Sequence, residues 1–250
     1  MRYLYYVYVI LIALPILLVA TLLTTTSTTV GCLCGFPKFW GYWPARIWSW
    51  VIIRVLLLPV SIQGKEHLDR KTSYVFVSNH QGFFDIFLVY AFLGQPFRWM
   101  MKKSLRKMPF VGRACEDAGH IFVDKSGPKA IQKTYENARK ILQGGTSVVV
   151  FPEGSRTFTG HMGVFKKGAF QLADELQLPV VPITVNGPFD VLSRTAKIID
   201  WHPLHMTIHA PIMPKGKGSE NQKQTMQEAY DTIMSALPKE RQGYVRNNDQ

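Results

Sequence analysis

Val75-Phe76-Val77-Ser78-Asn79-His80-Gln81-Gly82-Phe83-Phe84-Asp85 opens as a short β-branched and aromatic run, the composition of a buried strand. It breaks into Ser-Asn-His-Gln-Gly, where Asn and Gly permit a sharp change of direction. The apolar stretch 83–93 then reads as a helix. His80 is therefore expected at a strand end, in a turn, just before a helix. Asp85 follows five residues later. On one ideal helix that spacing would turn the two side chains roughly 140° apart. With His80 in the turn and Asp85 in the first helical turn, they can meet. The carboxylate would then accept one ring N–H and leave the other nitrogen free as a base. No G-x-S-x-G elbow supplies a nucleophile, so the pair points to a base acting on a substrate hydroxyl. Alone, a His and an Asp at this spacing also arise by chance.

Outward from this unit the chain keeps alternating. Strands are expected at 97–101, 119–124, 146–151, 179–185 and 205–212. Helices are expected at 128–143, 164–177 and 219–237, with the tail to Gln250 frayed. Pro128 suits a first helical turn, and Gly144-Gly145 a helix end. The fully apolar 146–151 run is typical of a parallel strand covered on both faces. Such alternation predicts an α/β fold, a mixed but mostly parallel sheet flanked by helices.

A second stretch gives the His–Asp pair its context: Phe151-Pro152-Glu153-Gly154-Ser155-Arg156. Together the two resemble the glycerolipid (PlsC-like) acyltransferase family, which includes the lysophosphatidic acid acyltransferases. Asn79, His80 and Asp85 meet its N-H-x-x-x-x-D motif, and residues 151–156 meet F-P-E-G-[ST]-R. The segment from Lys103 through Pro109 to Gly112, and Val180-Val181-Pro182-Ile183, resemble two further motifs. The resemblance covers about residues 70–190. Where the family often has Arg after the 119–124 strand, this chain has Lys125, which keeps the charge without the two-pronged grip on phosphate.

The resemblance implies a fold of the glycerol-3-phosphate acyltransferase type and a direct acyl transfer with no acyl-enzyme. His80 would be the general base, and Asp85 would hold its tautomer. Arg156 would grip the phosphate with two parallel N–H donors. Gly154 would let the backbone turn and offer its N–H groups. Glu153 would repel a phosphate, so it is expected to orient Arg156 or the glycerol hydroxyls, a local ion pair with Arg156 being the plainer reading. Lys103 and Lys167 are further phosphate-binding candidates, each equally readable as a solvated side chain. The expected acceptor is a lysophosphatidic acid, and the donor an acyl-CoA or acyl-carrier-protein thioester. The thioester is already activated, so no metal or other cofactor is expected.

Composition agrees with a lipid substrate. The 250 residues carry a net charge of +12, which suits an acidic partner. No nucleic-acid-binding module or basic–aromatic platform is present, so no nucleic-acid partner is expected. Residues 3–23 lack charge and are about long enough to cross a bilayer. They read as an uncleaved anchor, since a signal peptide's apolar region is shorter, about 7–15 residues. Residues 46–62 are apolar around Arg54, so they read as an interfacial helix or a second span. The expected division is an anchor over 1–62 and an acyltransferase domain over 63–250, with its motif core at about 73–188. Only Arg2 precedes the first apolar stretch, while Lys38, Arg46, Arg54 and Lys65 follow it. That bias predicts the cell membrane, with the catalytic domain on its cytoplasmic side.

Cys32, Cys34 and Cys115 make neither a C-x-x-C nor an even set and read as small apolar residues. His202, His205 and His209 have no acidic or Cys neighbours in sequence and read as surface or packing residues rather than metal ligands. Two other functions fit parts of the chain. An acyltransferase acting on another lyso-lipid, such as a lyso-ornithine lipid, or on glycerol 3-phosphate would share both motifs. A non-catalytic lipid-binding protein would explain the apolar N-terminus and the charge, but it would have no need for the base.

Overall fold

The computed structural model describes residues 2–124 and 126–244. Lys125 and the tail beyond residue 244 lie outside the described residues. The centre is a seven-stranded sheet in the order β1-β7-β6-β2-β5-β3-β4. The strands are β1 Val60–Gln63, β2 Val75–Ser78, β3 Phe97–Lys102, β4 Ile121–Val123, β5 Ser147–Val150, β6 Val180–Asn186 and β7 Leu204–Ile208. All neighbours run parallel except β6 and β7, which are antiparallel. The expected mixed, mostly parallel α/β sheet is thus the fold of the chain.

Both faces of the central strands are buried, which explains their unbroken apolar runs. Phe76, Val149 and Val181 point into one core, and Val75, Val77, Val148 and Val180 into the other. This is the two-residue period of a strand sorting side chains to opposite faces. The first core is closed by α2 Trp43–Val55 and α3 Asp85–Phe92. The second is closed by α5 Pro128–Gln143, α6 Gly168–Leu176 and α8 Ser219–Ser235. Two short helices, α4 Val111–Asp117 and α7 Pro188–Leu192, sit at the ends of strands and were not expected from the sequence. Neither has the length over which helical periodicity becomes readable.

The N-terminal region departs most from expectation. The span expected at 3–23 is the first part of a single apolar helix, α1 Arg2–Leu33. Its outer stripe is exposed, from Tyr3 and Leu4 through Leu11 and Leu18 to Leu33. Its inner stripe is docked: Ala13, Thr25, Thr28 and Gly31 are buried. The Tyr8 hydroxyl donates to the Val55 carbonyl at 2.7 Å, and Trp48 Nε1 donates to Thr21 Oγ1 at 3.0 Å. Arg2 pairs with Asp200 at 2.6 Å. The helix expected at 46–62 begins at Trp43 and ends at Val55. Residues 60–63 are instead β1, paired in parallel with β7, so the sheet starts before residue 63. An apolar run on its own does not separate strand from helix.

Candidate active site

Three parallel neighbours, β2, β5 and β3, end on one rim of the sheet, where open α/β sheets bind ligands. His80 lies in the turn after β2, and Asp85 is the first residue of α3. His80 Nδ1 and Asp85 Oδ2 are 2.6 Å apart. Asp85 is fully buried and also accepts the Gly82 N–H at 3.0 Å. Burial pushes its carboxyl above the usual range, opposed by the bonds from His80 and Gly82. His80 Nε2 has no hydrogen-bond partner among the described residues, and the side chain is 15% exposed. The geometry expected for a base, with one nitrogen anchored and one open, is present.

The imidazole is also held by its face. Its ring lies flat on Phe151, with centroids 3.9 Å apart and planes 8° from parallel. Phe151 in turn stacks on buried Trp99 at 5.2 Å. Phe151 stood in the quoted motif, but sequence gives an aromatic residue no partner, and its role was not read.

Glu153 is not paired with Arg156 as the plainer reading expected. It is buried, and it bonds neither Arg156 nor any other cation among the described residues. Oε1 accepts the backbone N–H of His80 at 2.7 Å, and Oε2 that of Gly163 at 2.8 Å. Burial pushes its carboxyl up to about 8, against the pull of those two bonds. The Thr157 N–H donates to the His80 carbonyl at 2.9 Å. The 151–163 loop thus grips the backbone of the His80 turn from both sides.

Gly154 turns the loop in the left-handed region, with φ +79°. A Cβ there would lie 2.8 Å from Lys166 Nζ. The ammonium resting over this turn is therefore that of Lys166, whereas Lys167 is an exposed residue at the start of α6. Both side chains are exposed and precede the helix, and Lys166 is the one tied to the loop, its backbone N–H donating to the Pro152 carbonyl at 2.9 Å. Arg156 is half-buried, with its guanidinium carbon 5.8 Å from the centre of the Phe83 ring and no acidic partner among the described residues. Lys103 follows β3 on the same rim but is paired with Asp124 at 2.5 Å. The structure thus unites His80, Asp85, Glu153, Gly154 and Arg156, adds Phe83, Phe151 and Lys166, and leaves Lys103 engaged and Lys167 in solvent.

The three C-terminal histidines lie elsewhere. His209 Nε2 meets Thr184 Oγ1 at 2.8 Å, His202 Nδ1 meets the Pro203 carbonyl at 2.9 Å, and His205 is exposed on β7. Among the described residues no group of three or more His, Cys, Asp or Glu could hold a metal ion.

A family model described as Acyltransferase matches residues 59–186. A chloroplastic 1-acyl-sn-glycerol-3-phosphate acyltransferase of Brassica napus is 33% identical over 170 residues, 67% of this chain and 49% of that protein. A 1-acyl-sn-glycerol-3-phosphate acyltransferase of Saccharomyces cerevisiae is 28% identical over 245 residues, 93% of this chain and 78% of that protein. The chain spans about half the length of the chloroplastic relatives it matches. The crystal structure of the 1-acyl-sn-glycerophosphate acyltransferase PlsC from Thermotoga maritima superposes with a TM-score of 0.63 and 23% identity. It covers 86% of this chain and 92% of that one, a likeness of fold.

Proposed function

The chain belongs to the acyltransferase family, and from there we propose that it transfers a fatty acyl group from an acyl thioester to the free hydroxyl of 1-acyl-sn-glycerol 3-phosphate, giving phosphatidic acid. The observation that carries this reading is the His80–Asp85 contact at 2.6 Å, with Nε2 open on the rim that also holds Arg156.

In the reaction the acceptor hydroxyl gives its proton to His80 Nε2 as its oxygen attacks the thioester carbon. The C–S bond breaks, and the imidazolium returns the proton to the departing thiolate. Asp85, locked at the start of α3, stabilises the imidazolium while it lasts. Arg156 binds the acceptor phosphate, and Lys166 stands over the same turn to share that charge. The donor is acyl-CoA or an acyl-carrier-protein thioester, and no cofactor is required.

The apolar stripe of α1 supports a membrane-bound enzyme. Because α1 is tied to the domain at Arg2, Tyr8, Thr21 and Gly31, its outer face meets lipid while the domain stays alongside. The basic residues after the apolar stretch favour the cytoplasmic side of the cell membrane. The test is His80→Ala in membranes, read as release of free thiol from acyl-CoA that depends on acceptor. Loss of a positioned base should lower turnover about 10²–10⁴-fold. Full activity in that variant would sink the reading. A panel of lyso-lipid acceptors and glycerol 3-phosphate, run on the wild type, identifies the preferred acceptor.

A further inference from the structure

The segment leading into α4 carries an exposed apolar tip to which the reaction above assigns no role. The 3₁₀ turn Lys103–Lys107 is followed by Met108-Pro109-Phe110, and the tip is apolar and outward-facing. Leu105 is 37%, Met108 45% and Phe110 68% exposed. Phe110 also has φ 60° and ψ −53°, and the Val111 N–H donates to the Pro109 carbonyl at 2.6 Å. That is a γ-turn with positive φ, a rare and strained conformation. Here it displays a bulky aromatic to the outside. Strain of this kind persists where the surroundings over-determine it. Gly112 is part of that frame: a Cβ there would stand 2.2 Å from the Arg106 carbonyl oxygen. The Gly112 N–H donates to the Met108 carbonyl at 2.9 Å, and the Ala114 N–H to the Phe110 carbonyl at 3.1 Å.

The surroundings name the occupant. α4 packs on the C-terminal half of α1, the part of the apolar helix where Leu22, Leu23, Val30 and Leu33 are exposed. Across 103–117 basic side chains outnumber acidic ones four to two. Lys103, Arg106 and Arg113 are paired with Asp124, Glu116 and Asp117, while Lys107, beside the tip, has no acidic partner among the described residues. Exposed apolar side chains next to an uncompensated cation suit an anionic lipid surface, with apolar groups in the acyl boundary and the ammonium at the phosphates.

We propose that Met108 and Phe110 form a second membrane contact, inserting into an anionic leaflet while Lys107 binds its phosphates. The inference rests on the membrane-bound reading above. Because the segment leaves the end of β3, the contact sets the active-site rim against the headgroup layer, where a lyso-lipid acceptor lies.

The test uses the full chain with Cys32, Cys34 and Cys115 replaced by Ser, reconstituted into vesicles containing brominated phosphatidylcholine. A fluorophore is attached at Met108→Cys or Phe110→Cys and, as control, at Lys223→Cys on α8. The result expected is lipid quenching at 108 and 110 at least about two-fold above that at 223, rising further when phosphatidylglycerol is included. Quenching at both tip sites no greater than at 223 would overturn the insertion, and quenching indifferent to phosphatidylglycerol would overturn the anionic preference. The readout needs no turnover. An enzyme inactive on every acceptor would sink the proposed reaction while leaving this result standing.

Discussion

Glu153 Oε1 accepts the backbone N–H of His80 at 2.7 Å, so a carboxyl group of one motif fixes the main chain of the other. Its second oxygen takes the Gly163 N–H at 2.8 Å. Glu153→Ala would strand both donors, each costing about 1–3 kcal/mol when buried. Its kcat should fall with little change in KM for a phosphorylated acceptor, because the carboxyl faces backbone rather than the rim. A rise in KM alone would return Glu153 to substrate binding.

The same residue predicts a pH dependence of stability. Burial pushes its carboxyl up from 4.5 to about 8. Between those values the folded chain holds a proton that the unfolded chain releases. The contribution is therefore fully present below about 4.5 and is lost as pH rises through about 8, with a slope approaching about 1.4 kcal/mol per pH unit. Glu153→Gln carries no titrating group and removes that slope. Denaturant unfolding of both proteins between about pH 5 and 8 checks it; parallel curves would count against the buried carboxyl.

The face of His80 rests on Phe151 at 3.9 Å. When the ring becomes an imidazolium it gains attraction to that π-face, about 0.5–2 kcal/mol. Phe151→Leu should thus lower kcat by roughly 2–30-fold, with Phe151→Tyr restoring most of it. Steady-state kinetics at saturating acceptor reads this out, and a Leu variant with unchanged kcat would deny the stack any part in turnover.

Arg156 has no acidic partner among the described residues and leans on the Phe83 ring at 5.8 Å. Removing a charged hydrogen bond to phosphate costs about 1.5–3 kcal/mol, so Arg156→Ala should raise KM for a phosphorylated acceptor by roughly 10–160-fold. Arg156→Lys should recover only part of it, since an ammonium lacks the planar fork. An unchanged KM would favour an acceptor without phosphate.

Much of this arrangement was legible in the sequence, and the failures share a cause. The strands at β2, β5 and β6 announce themselves because burial on both faces demands continuous apolar runs. α5 begins at Pro128 and ends at Gln143 as expected, because Pro and a Gly pair mark its ends. The His80–Asp85 contact was readable from a turn followed by a helix. What stayed hidden depends on contacts between distant segments. The expected pairing of Glu153 with Arg156 is absent, because the charge of Glu153 is visible in sequence and its burial against two backbone N–H groups is not. Lys167 reads equally as a phosphate ligand or a solvated side chain, and nothing in the sequence marks Lys166, whose approach to Gly154 depends on how its backbone folds back onto the Pro152 carbonyl. Residues 60–62 passed for helix because only their pairing with β7 makes them a strand.

Asn79 offers the sharpest test of how the site is held. The backbone ladder of β2 and β6 runs to Ser78 and Ile183. One residue on, the fully buried Asn79 side chain continues it: Nδ2 donates to the Val185 carbonyl at 2.9 Å, and Oδ1 accepts the Val185 N–H at 2.8 Å. An amide can serve both groups, because it carries one donor and one acceptor end. Asn79→Ala leaves both Val185 groups buried without partners, a loss of about 2–6 kcal/mol. Asn79→Asp keeps the acceptor but turns a second oxygen against the Val185 carbonyl. Its deficit should therefore deepen as pH rises and the new carboxyl ionises. Denaturant unfolding of the three proteins at two pH values measures this. If Asn79→Asp matched the wild type at both, the side chain would not be extending the ladder, and the position of His80 would need another explanation.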